Sequence, residues 1–293
     1  MSVRSAIVGD RDAATGGTIP IFGHPPGAAH PEKAKAEPQP DPTLTEGILG
    51  GTPEERYVEP ACFPVASDPG QLRHSCEELY DVCLALRMGR SVIGNDLQAD
   101  DKNLVVITGA NQGGKSTFLR AIGLARMMMQ AGMFVPAAAF RANVAHGVFT
   151  HFKREEDATM KSGKLDEELG RMSEIADHLA TGSMVLFNES FAATNEREGS
   201  EIAWQIVEAL TERGVEAVFV THLFEFAHGL HERHLPNATF LRAERQEDGT
   251  RTFKLREAGP LQTSFGEDLY DKIFEETEYN GVNHHQEAEA RTA

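Results

Sequence analysis

Leu104-Val-Val-Ile-Thr108 runs directly into Gly109-Ala-Asn-Gln-Gly-Gly-Lys115-Ser116-Thr117, and that into Phe118-Leu-Arg-Ala-Ile122. The first segment is a continuous apolar run, as a parallel strand buried on both faces requires. Phe118, Ile122, Ala125 and Met129 mark one face of a helix that ends near Gly132. Between them the pattern Gly-x-x-x-x-Gly-Lys-Ser/Thr sits where its mechanism needs it, after a strand and at a helix N-terminus. Glycines let backbone N–H groups turn inward around phosphate oxygens, and the helix dipole favours the negative charge. Lys115 is predicted to reach the β- and γ-phosphates of ATP and Ser116 to ligate Mg2+. Gly109, Ala110, Asn111, Gln112, Gly113, Gly114 and Thr117 complete the predicted cradle. A glycine-rich turn without a ligand is the competing reading.

Outward from this segment, short apolar runs recur at Gly147-Val-Phe-Thr150, Met184-Val-Leu-Phe187 and Ala217-Val-Phe-Val-Thr221. Between them Leu165, Leu169, Met172, Ala176 and Leu179 trace one amphipathic helix, and Ile202, Ile206, Val207 and Leu210 another. Strands alternating with helices of this length predict an α/β fold with a doubly wound, mostly parallel sheet. Ala238–Arg242 and Arg251–Leu255, flanking Asp248-Gly249, predict a small β-hairpin extension. Upstream, Leu72, Cys76, Leu79, Cys83 and Leu86 recur at helical spacing and predict a helix leading into the core.

Residues 23–60 are crowded with Pro, Gly, Ala and charge, and residues 1–60 are expected to form a disordered leader. Residues 61–274 form the expected core domain, and 275–293 a polar tail. Acidic residues outnumber basic ones 45 to 28, a formal charge of -17, which opposes an unaided grip on a nucleic-acid backbone. Cys62, Cys76 and Cys83 fit no disulfide framework or metal spacing and are expected to be reduced thiols. No apolar run approaches the roughly 18 residues of a membrane span, and the start lacks a signal-peptide centre. A soluble cytoplasmic chain without membrane contact is the expectation.

Phosphate chemistry at such a loop needs a second strand ending in acidic residues, one for the metal shell and one to polarise an attacking water. Met184–Phe187 followed by Asn188-Glu189 supplies it with a change. Glu189 is the candidate general base. Asn188 stands where an aspartate would hold Mg2+ through water, and an amide brings no negative charge to the cation. Weaker metal binding or slower turnover is the predicted consequence.

These motifs carry a resemblance. TGANQGGKSTFLRAIGLA, residues 108–125, resembles the Walker A region of the MutS family, whose common form is TGPNMGGKST. Val92-Ile-Gly-Asn95-Asp96-Leu97 is similar to the segment before that strand in MutS proteins and implies contacts with adenine. Asn188 to Gly199 resembles the Walker B region with its following loop, Val220-Thr221-His222 the strand-terminal Thr-His, and Thr263-Ser264-Phe265-Gly266 a Ser-Tyr-Gly motif. The resemblance runs from about Gln71 to Phe274 and implies a P-loop NTPase of the ABC-like type. It implies that His222 senses the γ-phosphate, although a histidine satisfied at a strand end is the simpler alternative. It implies, too, that Ser162-Gly163 reaches the ATP of a second subunit in a homodimer with composite sites. A plain helix N-cap, with Asp166, Glu167 and Glu168 in the first turn, would use the same geometry. His228, His231 and His234 step by three, which fans them around a helix and favours a solvated face over a metal site.

Two departures from the family pattern shape the functional expectation. Asn188 replaces the acidic Walker B residue, and the roughly 70 residues before Gln71 cannot hold the mismatch-reading, connector, lever and clamp parts of full MutS proteins. DNA is therefore expected only through a partner or missing domains. An ATP hydrolase of a MutS-like repair or recombination protein leads. A nucleotide-gated interaction module with little hydrolysis comes next, and a small-molecule kinase is a distant third.

Overall fold

The computed structural model describes residues 65–66, 72–153, 163–262, 266–267 and 270. The expected leader, the polar tail, Ser162 and Thr263 to Phe265 lie outside the described residues. Strands are β1 (Val65–Ala66), β2 (His74–Leu79), β3 (Asn95–Gln98), β4 (Leu104–Gly109), β5 (Ala139–Ala142), β6 (Val148–Phe152), β7 (Met184–Asn188), β8 (Glu216–Val220), β9 (Ala238–Arg245) and β10 (Arg251–Glu257). Helices are α1 (Val82–Met88), α2 (Lys115–Gln130), α3 (Lys164–His178), α4 (Glu196–Glu212) and α5 (Phe224–Glu232).

Six strands form the main sheet in the order β10-β9-β4-β8-β7-β6. Every pair is parallel except β9 with β10, so the fold is α/β with a mostly parallel mixed sheet. Alternation along β4 divides the core in two. Val105 and Ile107 face α2, packing with Phe118, Ile122 and Ala125, whereas Leu104 and Val106 face α4 and α5, packing with Ile206, Leu210 and Phe226. Burying a side chain of this size contributes about 1.5–3 kcal/mol. The continuous apolar run of β4 follows from having a helical layer on both faces.

The hairpin is present, with Gly249 at φ 85° and Asp248 accepting from Thr250 N–H at 2.9 Å. Its first strand is more than an extension: β9 lies beside β4 in parallel, from Leu104↔Ala238 to Gly109↔Ala243. From β4 the chain crosses to the far edge at β6 and then returns through β7 and β8, past β4, to β9. Such a reversal opens a crevice at the carboxyl ends of the strands.

The helix expected across Leu72 to Leu86 is corrected. Residues His74–Leu79 are a strand, paired with β3 and β5, and only from Val82 does a helix begin, capped by Asp81, which accepts from Leu84 N–H at 3.0 Å. The misleading spacing has a physical cause. The β2–β3 register shifts between Cys76 and Leu79, with Glu78 at φ 49°, so two inward side chains stand three residues apart instead of two. This strand belongs to a second sheet, β1-β5-β2-β3, which packs Cys76, Leu97 and Phe140 onto the far side of α2.

Candidate functional site

The loop between β4 and α2 closes against β9. A Cβ on Gly109 would stand 2.8 Å from Ala243 N, and one on Gly113 2.7 Å from Ala243 Cβ, so a side chain at either position displaces the hairpin. Gly109 (φ 107°), Gln112 (φ 58°) and Gly114 (φ 89°) take left-handed backbone conformations that turn the loop over the start of α2. Lys115, in the first turn of α2, folds back into the loop and donates to Gly109 O and Ala110 O, each at 2.9 Å. Burial lowers its pKa, Glu189 opposes that and Arg251 adds to it, leaving a value of about 8. A lysine held this way has part of its charge unsatisfied and gains from an anion.

Register carries the second strand to the same place. Asn188 pairs with Val220 at the ends of β7 and β8, and Glu189 N–H donates to Val220 O at 2.9 Å. The amide oxygen of Asn188 accepts from Ser116 Oγ at 2.7 Å, which ties β7 to α2. Glu189, at φ 54°, turns its carboxylate to His222 Nε2 at 3.1 Å, and that nitrogen lies 3.4 Å from Lys115 Nζ. One cation, one carboxylate and one imidazole therefore converge where β4, β7 and β8 end. Ser116 Oγ and Asn188 Oδ1 are neutral oxygens of the kind a hard divalent ion accepts, though neither is anionic.

Beside the loop lies a cavity of about 750 Å³, between Leu84, Met88, Val92 and Ile93 on one wall and Arg251 and Phe253 on the other. Gln112, Gly113, Gly114, Ser116 and Thr117 line its floor with Lys115. Its volume suits a small organic ligand, and its composition is apolar with a cationic end. Asn95 holds the far wall, donating to Phe253 O at 3.0 Å and accepting from Leu255 N–H at 2.6 Å. Arg251 Nε donates to Asn111 O at 3.1 Å.

Gly109, Lys115, Ser116, Asn188, Glu189 and His222 are thus brought together as sequence reading grouped them, and Val92 and Ile93 reach the cavity wall. Gly163 lies apart in the sequence at the exposed start of α3, which has no side-chain cap. No local sequence pattern marks Arg251, Phe253 and Ala243 as site residues, because the hairpin's return onto the loop is a long-range packing event. Of the three spaced histidines, His228 stacks on Phe224, while His231 meets Phe240 edge-on and has its ring centroid 6.3 Å from that of His234.

What the fold and the convergent side chains define is an α/β domain with a glycine loop and a polar cluster at the carboxyl edge of its parallel strands. The model of MutS domain V matches residues 105–273, more than half of the chain, and the chain belongs to the MutS family. It is similar to the DNA mismatch repair protein MutS of Thermotoga maritima, 34% identical over 184 residues, which are 61% of this chain and 23% of that protein. The corresponding protein of Thermotoga neapolitana is 38% identical over 140 residues, 47% of this chain and 18% of the relative. That of Myxococcus xanthus is 34% identical over 152 residues, 50% and 17% respectively. The chain spans about a fifth of the length of these curated relatives. Among the described residues no helix is long and apolar enough to cross a membrane.

Proposed function

We propose that this chain is the ATP-binding and ATP-hydrolysing domain of a MutS-like DNA repair or recombination protein, a P-loop NTPase of the ABC-like type. The observation that carries the reading is the convergence of Lys115, Glu189 and His222 beside a glycine loop at the mouth of a cavity with an apolar wall. Glycine-loop N–H groups and Lys115 bind the phosphates, exchanging the lysine's loop carbonyls for phosphate oxygens. The adenine ring lies between Ile93 and Phe253, whose half-exposed side chains face the cavity. Ser116 and Asn188 would hold Mg2+, which when bound would supply charge neutralisation at the phosphates. Glu189 orients and deprotonates the attacking water, and His222 sits between it and Lys115 to register the γ-phosphate. Two copies pair through the ATPase face, with Ser162 and Gly163 of each completing the other's site, and nucleotide state is passed to DNA through a partner or further domains.

Asn188 favours a second reading, a nucleotide-gated interaction module that binds ATP and barely hydrolyses it. Steady-state hydrolysis with Mg2+ over a range of protein concentrations separates the two. For the hydrolase, specific activity rises with concentration, and Lys115→Ala and Glu189→Gln each abolish it. Nucleotide binding without Lys115-dependent turnover at any concentration supports the module and sinks the hydrolase.

A further inference from the structure

Behind Glu189, outside the cavity, is a second polar cluster. His151 on β6, Ser190 after β7 and Glu168 on α3 are 0%, 0% and 3% exposed. Ser190 Oγ lies 2.7 Å from His151 Nδ1 and 2.6 Å from His151 O. His151 Nε2 stands 2.9 Å from the backbone oxygen of Glu168, an acceptor only, so the proton of the neutral ring resides on Nε2. Burial, as the leading cause, keeps the ring's pKa below the usual histidine range and pushes the Glu168 carboxyl above the usual carboxylate range. In either charge state the Glu168 side chain offers Oε2 to Phe191 N–H at 2.9 Å.

The backbone held by this cluster is unusual. Glu189 and Phe191, neither of them glycine, sit at φ 54° and 63°. Left-handed residues of this kind persist only where their surroundings over-determine them. Here Glu189 N–H is fixed by Val220 O, Ser190 by His151, and Phe191 N–H by Glu168, while the Phe191 ring stacks on His151 with centroids 5.1 Å apart. From the other side α4 leaves no slack: a Cβ on Gly199 would stand 2.3 Å from Phe191 O. Without Glu168 the buried Phe191 N–H has no acceptor from this cluster, and the turn loses the tie that opposes its strain.

We propose that Glu168 is a positioning residue for Glu189: by accepting the Phe191 N–H, with His151 holding Ser190, it locks the left-handed turn that aims the Glu189 carboxylate at His222 and Lys115. This rests on the reading of Glu189 as the general base. Misplacing a reacting group by about an ångström costs on the order of a hundredfold in rate without weakening substrate binding made elsewhere.

The test measures kcat for ATP hydrolysis and nucleotide Kd on the full chain for the parent, Lys115→Ala, Glu168→Gln, Glu168→Leu and Ser190→Ala. Glu168→Gln keeps an acceptor oxygen and stays within about threefold of the parent, whereas Glu168→Leu loses on the order of 10–100-fold in kcat with Kd unchanged. An unchanged kcat in Glu168→Leu, a Kd that worsens in step with kcat, or a Glu168→Gln as slow as Glu168→Leu overturns the proposal. If Glu168→Leu shows no cooperative melting, Ser190→Ala decides: a lower kcat at unchanged Kd supports the clamp, and a parental kcat overturns it. A parent no faster than Lys115→Ala removes the hydrolase reading itself, and the role of Glu168 with it.

Discussion

The two ends of β8 hold similar side chains in opposite circumstances. At its amino end Glu216 accepts from Arg126 Nη2 through both oxygens, at 3.0 and 3.1 Å, and pairs with His74 Nδ1, while Arg126 Nη1 donates to Asn143 O at 2.8 Å. All three residues are buried, and they join β8 to α2 and to β2 of the small sheet. Burial opposes ionisation of Glu216, but His74 and Arg126 override it and draw its pKa down to about 2. At the carboxyl end Glu189, His222 and Lys115 meet through contacts of 3.1 and 3.4 Å, on one side open to solvent and adjoining the cavity. A cluster whose carboxylate is matched on both oxygens by a buried cation holds layers together, even with Arg126 Nε and His74 Nε2 left without a hydrogen-bond partner. One that is incomplete keeps capacity for a ligand, at some cost in local satisfaction.

That contrast can be broken most forcefully at the closed end. Arg126→Met leaves Glu216 buried with only His74 and should destabilise the fold by about 3–5 kcal/mol, a drop on the order of 10 °C in Tm, with nucleotide Kd unchanged in the folded fraction. Because the folded pKa of Glu216 is depressed, its contribution is complete above the ordinary value of 4.5 and is lost as pH falls toward 2. The variant should therefore melt with a flatter acid limb. Equal loss of nucleotide affinity would show that the two ends act as one unit.

A smaller effect is expected at the open end. Asn188→Asp places an anion on the metal side of Ser116 and should tighten Mg2+ in the nucleotide complex about tenfold, read by magnesium titration of turnover. An unchanged titration would mean that Asn188 lies outside the metal shell. The smallest change concerns one proton. Lys115 titrates near 8 without ligand, and a bound phosphate raises that value, so nucleotide binding at pH 8 should take up about half a proton and at pH 6.5 almost none. Affinity then weakens as pH rises above 8. Calorimetry in buffers of differing ionisation heat checks it, and zero uptake at both pH values would remove Lys115 as the responsible group.

The site was legible in the chain to the extent that its parts end apolar runs. Gly109 ends β4, Asn188 ends β7 with Glu189 next, and His222 comes two residues after β8, so burial of each strand marks where its polar terminus emerges. Period alone misread His74–Leu79, because a register shift produced helical spacing within a strand. Arg251, Phe253 and Glu168 left no such trace. Their partners Asn111, Gly114 and Phe191 are 140, 139 and 23 residues away along the chain.

Local order of residues was enough for the alternation of strands and helices, the glycine loop and the identity of the groups at the strand ends, since these depend on side-chain period and on backbone freedom within a few residues. Folding alone laid the small sheet over α2, brought the hairpin down on the loop, buried Arg126 against Glu216 and set Glu168 beneath the turn that carries Glu189. Those contacts join segments far apart in the chain, and their free energy comes from burial and pairing that exist only once the layers have closed.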